Sequence, residues 1–187
     1  MTYDIATRKG LPHDMQTLYR DLPRDGWPDH PNFARATRNW MGAHLGFRQL
    51  AGLLQTESER FLDGQTDDHL YSERLGHFGT ILVRNLHGHH TWEDRSFFPE
   101  LEAADPRFAR GLDMLETDHV ALDTLLEDVT KRGNRVVQLA TLAPGQMPEE
   151  ARPLRDTLDR LNRFLTRHLT DEEDLVVPII LHHRLRG

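Results

Sequence analysis

The chain has 187 residues, a formal net charge of −7 at pH 7, twelve histidines and no cysteine. This length predicts a single domain that can bury a real hydrophobic core. The lack of cysteine excludes disulfide bonds and thiolate metal sites, and a negative charge without any basic cluster argues against a nucleic-acid surface.

No apolar run approaches the roughly 20 residues that a helix needs to span a bilayer. The amino-terminal residues are polar and lack the apolar core of a signal peptide. We therefore expect a cytoplasmic protein with neither a membrane nor a nucleic acid among its partners.

Residues 1–31 are interrupted by four prolines and predict an irregular N-terminal extension. A short helix is expected near residues 14–20, and the extension is expected to wrap one end of the remaining fold. Residues 32–187 are assigned to one helical domain.

Four segments follow in which an apolar residue recurs every three or four positions, which is the pattern of an amphipathic helix. The first spans about residues 32–61, and the second spans about residues 67–101. Asp63-Gly64-Gln65 predicts the end of the first helix, and Thr66-Asp67-Asp68 supplies capping groups for the second.

The third segment spans about residues 106–131, and Asp105-Pro106 predicts its start. Gly133-Asn134 predicts its end, while residues 136–147 show no clear pattern. The fourth segment spans about residues 150–183, and Pro178 is expected to kink it or fray its end.

Strand signals are weak, since the one β-rich stretch, residues 176–181, contains Pro178. Four amphipathic segments with mostly short connections predict an all-α fold. We expect an antiparallel, up-down-up-down four-helix bundle with an irregular N-terminal extension.

Two stretches, residues 89–99 and 168–178, repeat one pattern. Each has a histidine, acids four and five residues later, and a proline at ten: His89, Glu93, Asp94, Pro99 and His168, Glu172, Glu173, Pro178. A histidine and a carboxylate four residues apart lie on one face of a helix, where together they can clip a metal ion.

One histidine in each segment falls on the apolar face, namely His44, His89, His119 and His168, and Glu93 and Glu172 do so as well. A buried, unpaired carboxylate is costly, and a bound divalent cation removes that cost. Imidazole and carboxylate ligands without thiolate suit iron, manganese or zinc. A simpler explanation for His44 or His119 alone is a core histidine bonded to a carbonyl, and for either clip alone a solvated face pair.

With these residues the chain resembles the hemerythrin-like family of HHE cation-binding domains, over about residues 32–182. The resemblance implies two non-heme iron ions, oxo- or hydroxo-bridged and carboxylate-bridged, with manganese or zinc as possible substitutes. The implied ligands are His44, His89, His119 and His168, with Glu93 and Glu172 as bridging carboxylates.

The third segment departs from the family's oxygen carriers, which have a second histidine four residues after the first. Here that position is Asp123, which we expect to be solvated. His90 is the candidate for the missing ligand, although it could equally have a supporting or surface role. Glu173 competes with Glu172, and Glu172 is preferred because it aligns better with His168 on an ideal helix.

The resemblance implies a protein that binds dioxygen or a related small diatomic molecule for sensing, storage or delivery. It is also compatible with a di-iron redox enzyme acting on peroxide or nitric oxide, and with an iron storage or sensing protein. A ferritin-like di-iron site is disfavoured because its Glu-x-x-His motif occurs once, at Glu116 and His119. The oligomeric state does not follow from the sequence.

Overall fold

A computed structural model describes residues 3–185, and all regular structure in that part of the chain is helical. The helices are α1 (Thr17–Asp21), α2 (Arg35–Leu62), α3 (Asp68–Trp92), α4 (Phe98–Ala104), α5 (Ala109–Leu142) and α6 (Met147–His183). A π-helical stretch, Glu93–Phe97, joins α3 to α4 and is called the π segment below. The all-α prediction is confirmed, and the antiparallel order of the long helices stays a prediction.

The chain divides into two compact units. The first unit comprises residues 1–46, 90–120 and 164–187, and the second comprises residues 47–89 and 121–163. Helices α2, α3, α5 and α6 each contribute residues to both units. Among the described residues, no helix is both long and apolar enough to cross a membrane.

The end of α2 and the start of α3 lie where the sequence predicts them. Gly64 has a φ of +72°, a left-handed conformation that glycine adopts without steric cost. The Gln65 N–H then donates to the Arg60 carbonyl at 2.8 Å and closes the end of α2. At the start of α3, the Asp67 side chain accepts from the Leu70 N–H at 2.9 Å, as predicted for a helix cap.

The helix end predicted at Gly133 is wrong, and the fraying expected at Pro178 is not seen. Helix α5 continues through Gly133 to Leu142 because Val136 and Leu139 are buried, and this packing outweighs the cost of about 1 kcal/mol for a glycine inside a helix. Helix α6 does not fray at Pro178 but runs on to His183. The β-rich stretch is therefore helical, with its apolar side chains buried in the first unit.

The N-terminal extension forms part of the core of the first unit. It contains the predicted short helix as α1, flanked by 3₁₀ turns at His13–Met15 and Arg24–Gly26. Its apolar side chains pack in one cluster with residues of the π segment, α4, α5 and α6: Leu11, Met15, Leu18 and Trp27 from the extension, and Phe97, Phe98, Leu115 and Val176 from the rest. Burial of this apolar area holds the extension against the unit.

The second unit has its own core, in which Phe61 stacks on Tyr71 with ring centroids 4.3 Å apart. The Tyr71 hydroxyl lies 2.9 Å from the Ser58 hydroxyl. An open groove of about 330 Å³ lies between α3 and α5 in this unit, beside Gly76 and Gly133.

Candidate metal centre

The π segment places Glu93 at the centre of the first unit. In this stretch the Phe98 N–H donates to the Glu93 carbonyl, five residues earlier. Pro99 follows directly, in the first turn of α4, where its missing N–H costs little. Single π-helical turns inside α-helices occur frequently at functional sites.

Two carboxylates and three imidazoles converge in this unit. Glu93 and Glu172 are fully buried. The two Glu93 oxygens face different histidines, with Oε1 3.9 Å from His44 Nε2 and Oε2 3.8 Å from His119 Nε2. Glu172 Oε2 lies 3.5 Å from His44 Nε2 and 3.8 Å from His168 Nε2.

The Nδ1 atom of each of these imidazoles bonds a separate acid. The pairs are His44 with Glu173 Oε1 at 3.0 Å, His119 with Asp94 Oδ1 at 2.6 Å, and His168 with Asp118 Oδ2 at 3.2 Å. A carboxylate only accepts, so each Nδ1 carries the proton, and in the neutral imidazole this tautomer leaves a lone pair on Nε2. This is the arrangement in which a supporting carboxylate prepares a histidine for metal ligation.

His90, whose role the sequence does not decide, is buried in the same group. Its ring stacks on that of His119 at 4.1 Å and lies 5.5 Å from that of His168. The ligand atoms of these three histidines lie within 4.8 Å of one another, and so do those of Glu93, His119 and Glu172. We call the six residues the His/Glu cluster: His44, His90, Glu93, His119, His168 and Glu172.

His89 is the last residue of the second unit's α3 portion and precedes Glu93 by four residues. It is half-buried, and its ring contacts that of Phe47 edge-on at 5.1 Å. Its role as a ligand stays a prediction from the sequence.

Glu173 and Asp123 lie outside the His/Glu cluster. Glu173 bonds His44 and also accepts from Arg24 at 2.6 Å, so it supports an imidazole. Asp123 has a side chain that is 52% exposed and lies 3.6 Å from the exposed His87. His87 is not part of the cluster either.

Burial dominates the electrostatics of the cluster. Loss of solvation, reinforced by the neighbouring Glu93 carboxylate, raises the pKa of Glu172 well above its usual range. Loss of solvation and the nearby His119 lower the pKa of His168 well below its usual value. His168 is therefore neutral, the form that binds a metal ion.

The residues fit a metal ion. In the part of the chain that the structure describes, His119 Nε2, His168 Nε2 and both Glu172 oxygens are buried without a hydrogen-bond partner. Such atoms cost free energy unless something else satisfies them. A nitrogen and oxygen donor set of this kind suits iron, manganese or zinc, and a divalent cation would neutralise the buried carboxylates.

Sequence reasoning missed several supporting residues. Trp40 Nε1 donates to Glu93 Oε1 at 2.6 Å, and Asp94 and Asp118 orient imidazoles. The position of Trp40 on the apolar face, one helical turn before His44, could have indicated its contact. Nothing in the local sequence marks the two arginines of the extension, Arg8 and Arg24, that contact the supporting acids.

Comparison with known families places this geometry in context. The family model of the hemerythrin HHE cation-binding domain matches residues 35–180, most of the chain. Searches of curated proteins and of solved structures found no match. The matched range contains the whole His/Glu cluster and leaves the N-terminal extension, residues 1–31, entirely outside.

Proposed function

Because the chain belongs to the hemerythrin HHE cation-binding family, we propose that it holds two non-heme iron ions and binds dioxygen or a related small diatomic molecule. The binding would serve sensing, storage or delivery. The proposed ligands are the His/Glu cluster together with His89, and Glu93 and Glu172 are the proposed bridging carboxylates.

The placement of Glu93 carries this proposal. Its two oxygens face the Nε2 atoms of two different histidines, at 3.9 and 3.8 Å. A carboxylate that serves one metal ion needs only one such neighbour, whereas one that bridges two ions needs a separate partner on each side. Glu172 also lies between two histidines, although here a single oxygen, Oε2, faces both His44 and His168.

The bound iron pair would supply the electrons and the open coordination position that a small diatomic ligand requires. The chain's own residues hold and shield that position. Trp40 fixes one oxygen of Glu93, and the buried Phe98 ring stacks on His119 at 5.7 Å. Together with the buried cluster, these aromatic side chains exclude water from the site.

A second candidate function is a di-iron redox enzyme that acts on peroxide or nitric oxide. It is favoured by the exposed Asp123, which stands where the family's oxygen carriers have a second histidine on the third helix. An iron storage or sensing role uses the same ligands without turnover.

The test is an optical spectrum of protein loaded anaerobically with ferrous iron, taken before oxygen, after oxygen, and after evacuation. A charge-transfer band that appears with oxygen and disappears on evacuation supports reversible binding. A ferric spectrum that evacuation does not reverse favours the redox enzyme or sensor.

The matched variants are His168→Ala, at a buried cluster position, and His182→Ala, at an exposed one. Iron content and the oxygen-induced band should be lost in the first and kept in the second. If the wild-type protein retains no iron, or if His168→Ala retains its full iron content, the proposal is refuted.

A further inference from the structure

Arg8, in the N-terminal extension, reaches deep into the first unit. Its side chain is 4% exposed. Nη2 donates to Asp118 Oδ2 at 2.5 Å, Nε donates to Asp171 Oδ2 at 2.7 Å, and Nη1 donates to the Tyr3 carbonyl at 2.9 Å. With all three nitrogens engaged, the planar guanidinium is held in one orientation.

Arg24 makes a similar set of contacts beside a second pair of acids. Nη1 donates to Glu173 Oε2 at 2.6 Å, and Nη2 donates to Asp174 Oδ1 at 2.7 Å. The guanidinium lies over the buried Trp27 ring, 4.8 Å from its centroid. Such charge-assisted contacts are stronger and more directional than neutral hydrogen bonds.

Each arginine contacts a carboxylate that also contacts a histidine of the His/Glu cluster. The Asp118 oxygen that accepts from Arg8 is also the one that lies 3.2 Å from His168 Nδ1. The second oxygen of Glu173 lies 3.0 Å from His44 Nδ1. The extension therefore takes part in two chains of contacts, Arg8–Asp118–His168 and Arg24–Glu173–His44.

We propose that the N-terminal extension supports the metal centre and that Arg8 and Arg24 are positioning residues. Through Asp118 and Glu173 they fix the ring orientation and the Nδ1–H tautomer of His168 and His44, which directs each Nε2 toward the metal ions. This inference rests on the proposed metal site, and it assigns a role to residues outside the matched family range.

The arginines can position the histidines because a buried carboxylate without a fixed cation can rotate toward any donor or water. Asp118 and Glu173 are both buried, and the arginines leave them one favourable geometry. A histidine whose supporting acid is fixed loses little rotational freedom when it binds a metal ion. Removing such a support typically costs about 10–100-fold in metal affinity.

The chain contains an internal control. His119 is supported by Asp94, whose side chain is 37% exposed. Among the described residues, neither Arg8 nor Arg24 contacts Asp94. Substitution of Arg8 or Arg24 should therefore leave the tautomer of the His119 imidazole unchanged.

The first experiment is NMR of the metal-free protein with ¹⁵N-labelled histidine, which distinguishes the two imidazole tautomers. Arg8→Met should shift His168 from the Nδ1–H form to a mixture, and Arg24→Met should do so for His44. The control Arg20→Met removes an exposed arginine of the extension whose side-chain bonds, among the described residues, go to His13. Unchanged patterns for both His168 and His44 would overturn the proposal.

The second experiment measures ferrous iron release to a chelator, and the melting temperature with and without iron. Arg8→Met and Arg24→Met should release iron about 10–100-fold faster, with Arg20→Met close to wild type. The rise in melting temperature caused by iron should shrink, because that rise reports affinity. If a variant lowers the melting temperature equally with and without iron, the rise caused by iron is unchanged. The arginine would then have a purely structural role.

Arg8→Lys keeps the charge but not the planar fork, so it should recover part of the lost iron retention. If Arg8→Met does not fold, the same comparison is made with Arg8→Lys, and wild-type behaviour of that variant would overturn the role of the fork. A wild-type protein that binds no iron would refute the proposed function, while the tautomer experiment would still decide whether the arginines position the histidines.

Discussion

The Nδ1 atom of His44 lies 3.0 Å from Oε1 of Glu173, and the Nε2 atom on the other side of the ring lies 3.5 Å from Oε2 of the adjacent residue, Glu172. Two consecutive acids of α6 therefore contact opposite sides of one imidazole. Glu172 lies beside the Nε2 atoms of His44 and His168, and Glu173 bonds the opposite side of the His44 ring. Although both residues are glutamates, we expect Glu172 to bind the metal ions and Glu173 to orient His44.

Iron binding should separate these roles. Glu172→Gln removes a proposed bridging carboxylate and should abolish retention of the full iron complement. Glu173→Gln keeps a hydrogen-bond acceptor beside His44 and should retain both ions with about 10–100-fold weaker affinity. Iron content after gel filtration and calorimetric titration measure both effects, and the reverse order of the two variants would contradict the assignment.

The metal-free protein should respond to Glu172→Gln in the opposite direction. Burial raises the pKa of Glu172 in the folded state above that of the unfolded chain, about 4.3. The folded state therefore binds more protons than the unfolded state. The stability contributed by protonated Glu172 is present below the unfolded pKa and is lost as the pH rises through the folded pKa. Glu172→Gln should stabilise the metal-free protein at neutral pH by about 1–3 kcal/mol.

Urea unfolding at a series of pH values tests this sign. The advantage of Glu172→Gln should disappear below the unfolded pKa, about 4.3, where the wild-type carboxyl is protonated in both states. A constant difference at every pH would show that repacking, and not the buried charge, is responsible.

His90 should be required for the full metal complement. It is buried against His119, whereas His87, three residues earlier, is 68% exposed. His90→Ala should lower iron affinity by about tenfold or more, and His87→Ala should leave it unchanged. Competition with a chelator gives both affinities, and equal behaviour of the two variants would place His90 outside the metal centre.

Asp105 should stabilise the 3₁₀ turn Pro106–Phe108, which leads directly into α5. Its side chain accepts from the Arg107 N–H at 3.3 Å and from Arg107 Nη2 at 2.6 Å, and it contacts His183 Nε2 at 2.9 Å. Asp105→Ala should cost about 1–2 kcal/mol of unfolding free energy at neutral pH, as for other lost caps. Asp29→Ala, at an exposed position, is the control.

The pH dependence of this effect has a defined sign. The hydrogen bond from Arg107 lowers the pKa of Asp105 well below its usual range. Its contribution is therefore present above the unfolded pKa of about 3.9 and is lost as the pH falls through the folded value. Thermal melts of Asp105→Ala should converge on wild type in strong acid, and a difference that persists there would contradict the electrostatic cause.

Local signals predicted the helical fold and several of its boundaries. Gly64 and Asp67 end and begin helices where their backbone and side-chain chemistry require, and Asp105-Pro106 breaks the chain as expected. The same kind of signal failed at Gly133 and Pro178. There, burial of the neighbouring apolar side chains outweighs the local cost of a glycine or a proline.

The sequence by itself determined which residues are polar on an apolar face, because helical periodicity fixes the angle between neighbours on one helix. That selected His44, His89, His119, His168, Glu93 and Glu172 for burial, and all of them are buried except His89, which is half-buried. It favoured Glu172 over Glu173 only through a difference in angle on an ideal helix, since both residues are near that face.

Only the tertiary structure decided how these residues are divided between the metal-facing group and its support. Arg8 and Asp171 are 163 residues apart in the chain, and Arg24 and Glu173 are 149 apart. Periodicity within one helix carries no information about such pairs. Their contacts depend on how the extension packs and on which rotamers that packing permits.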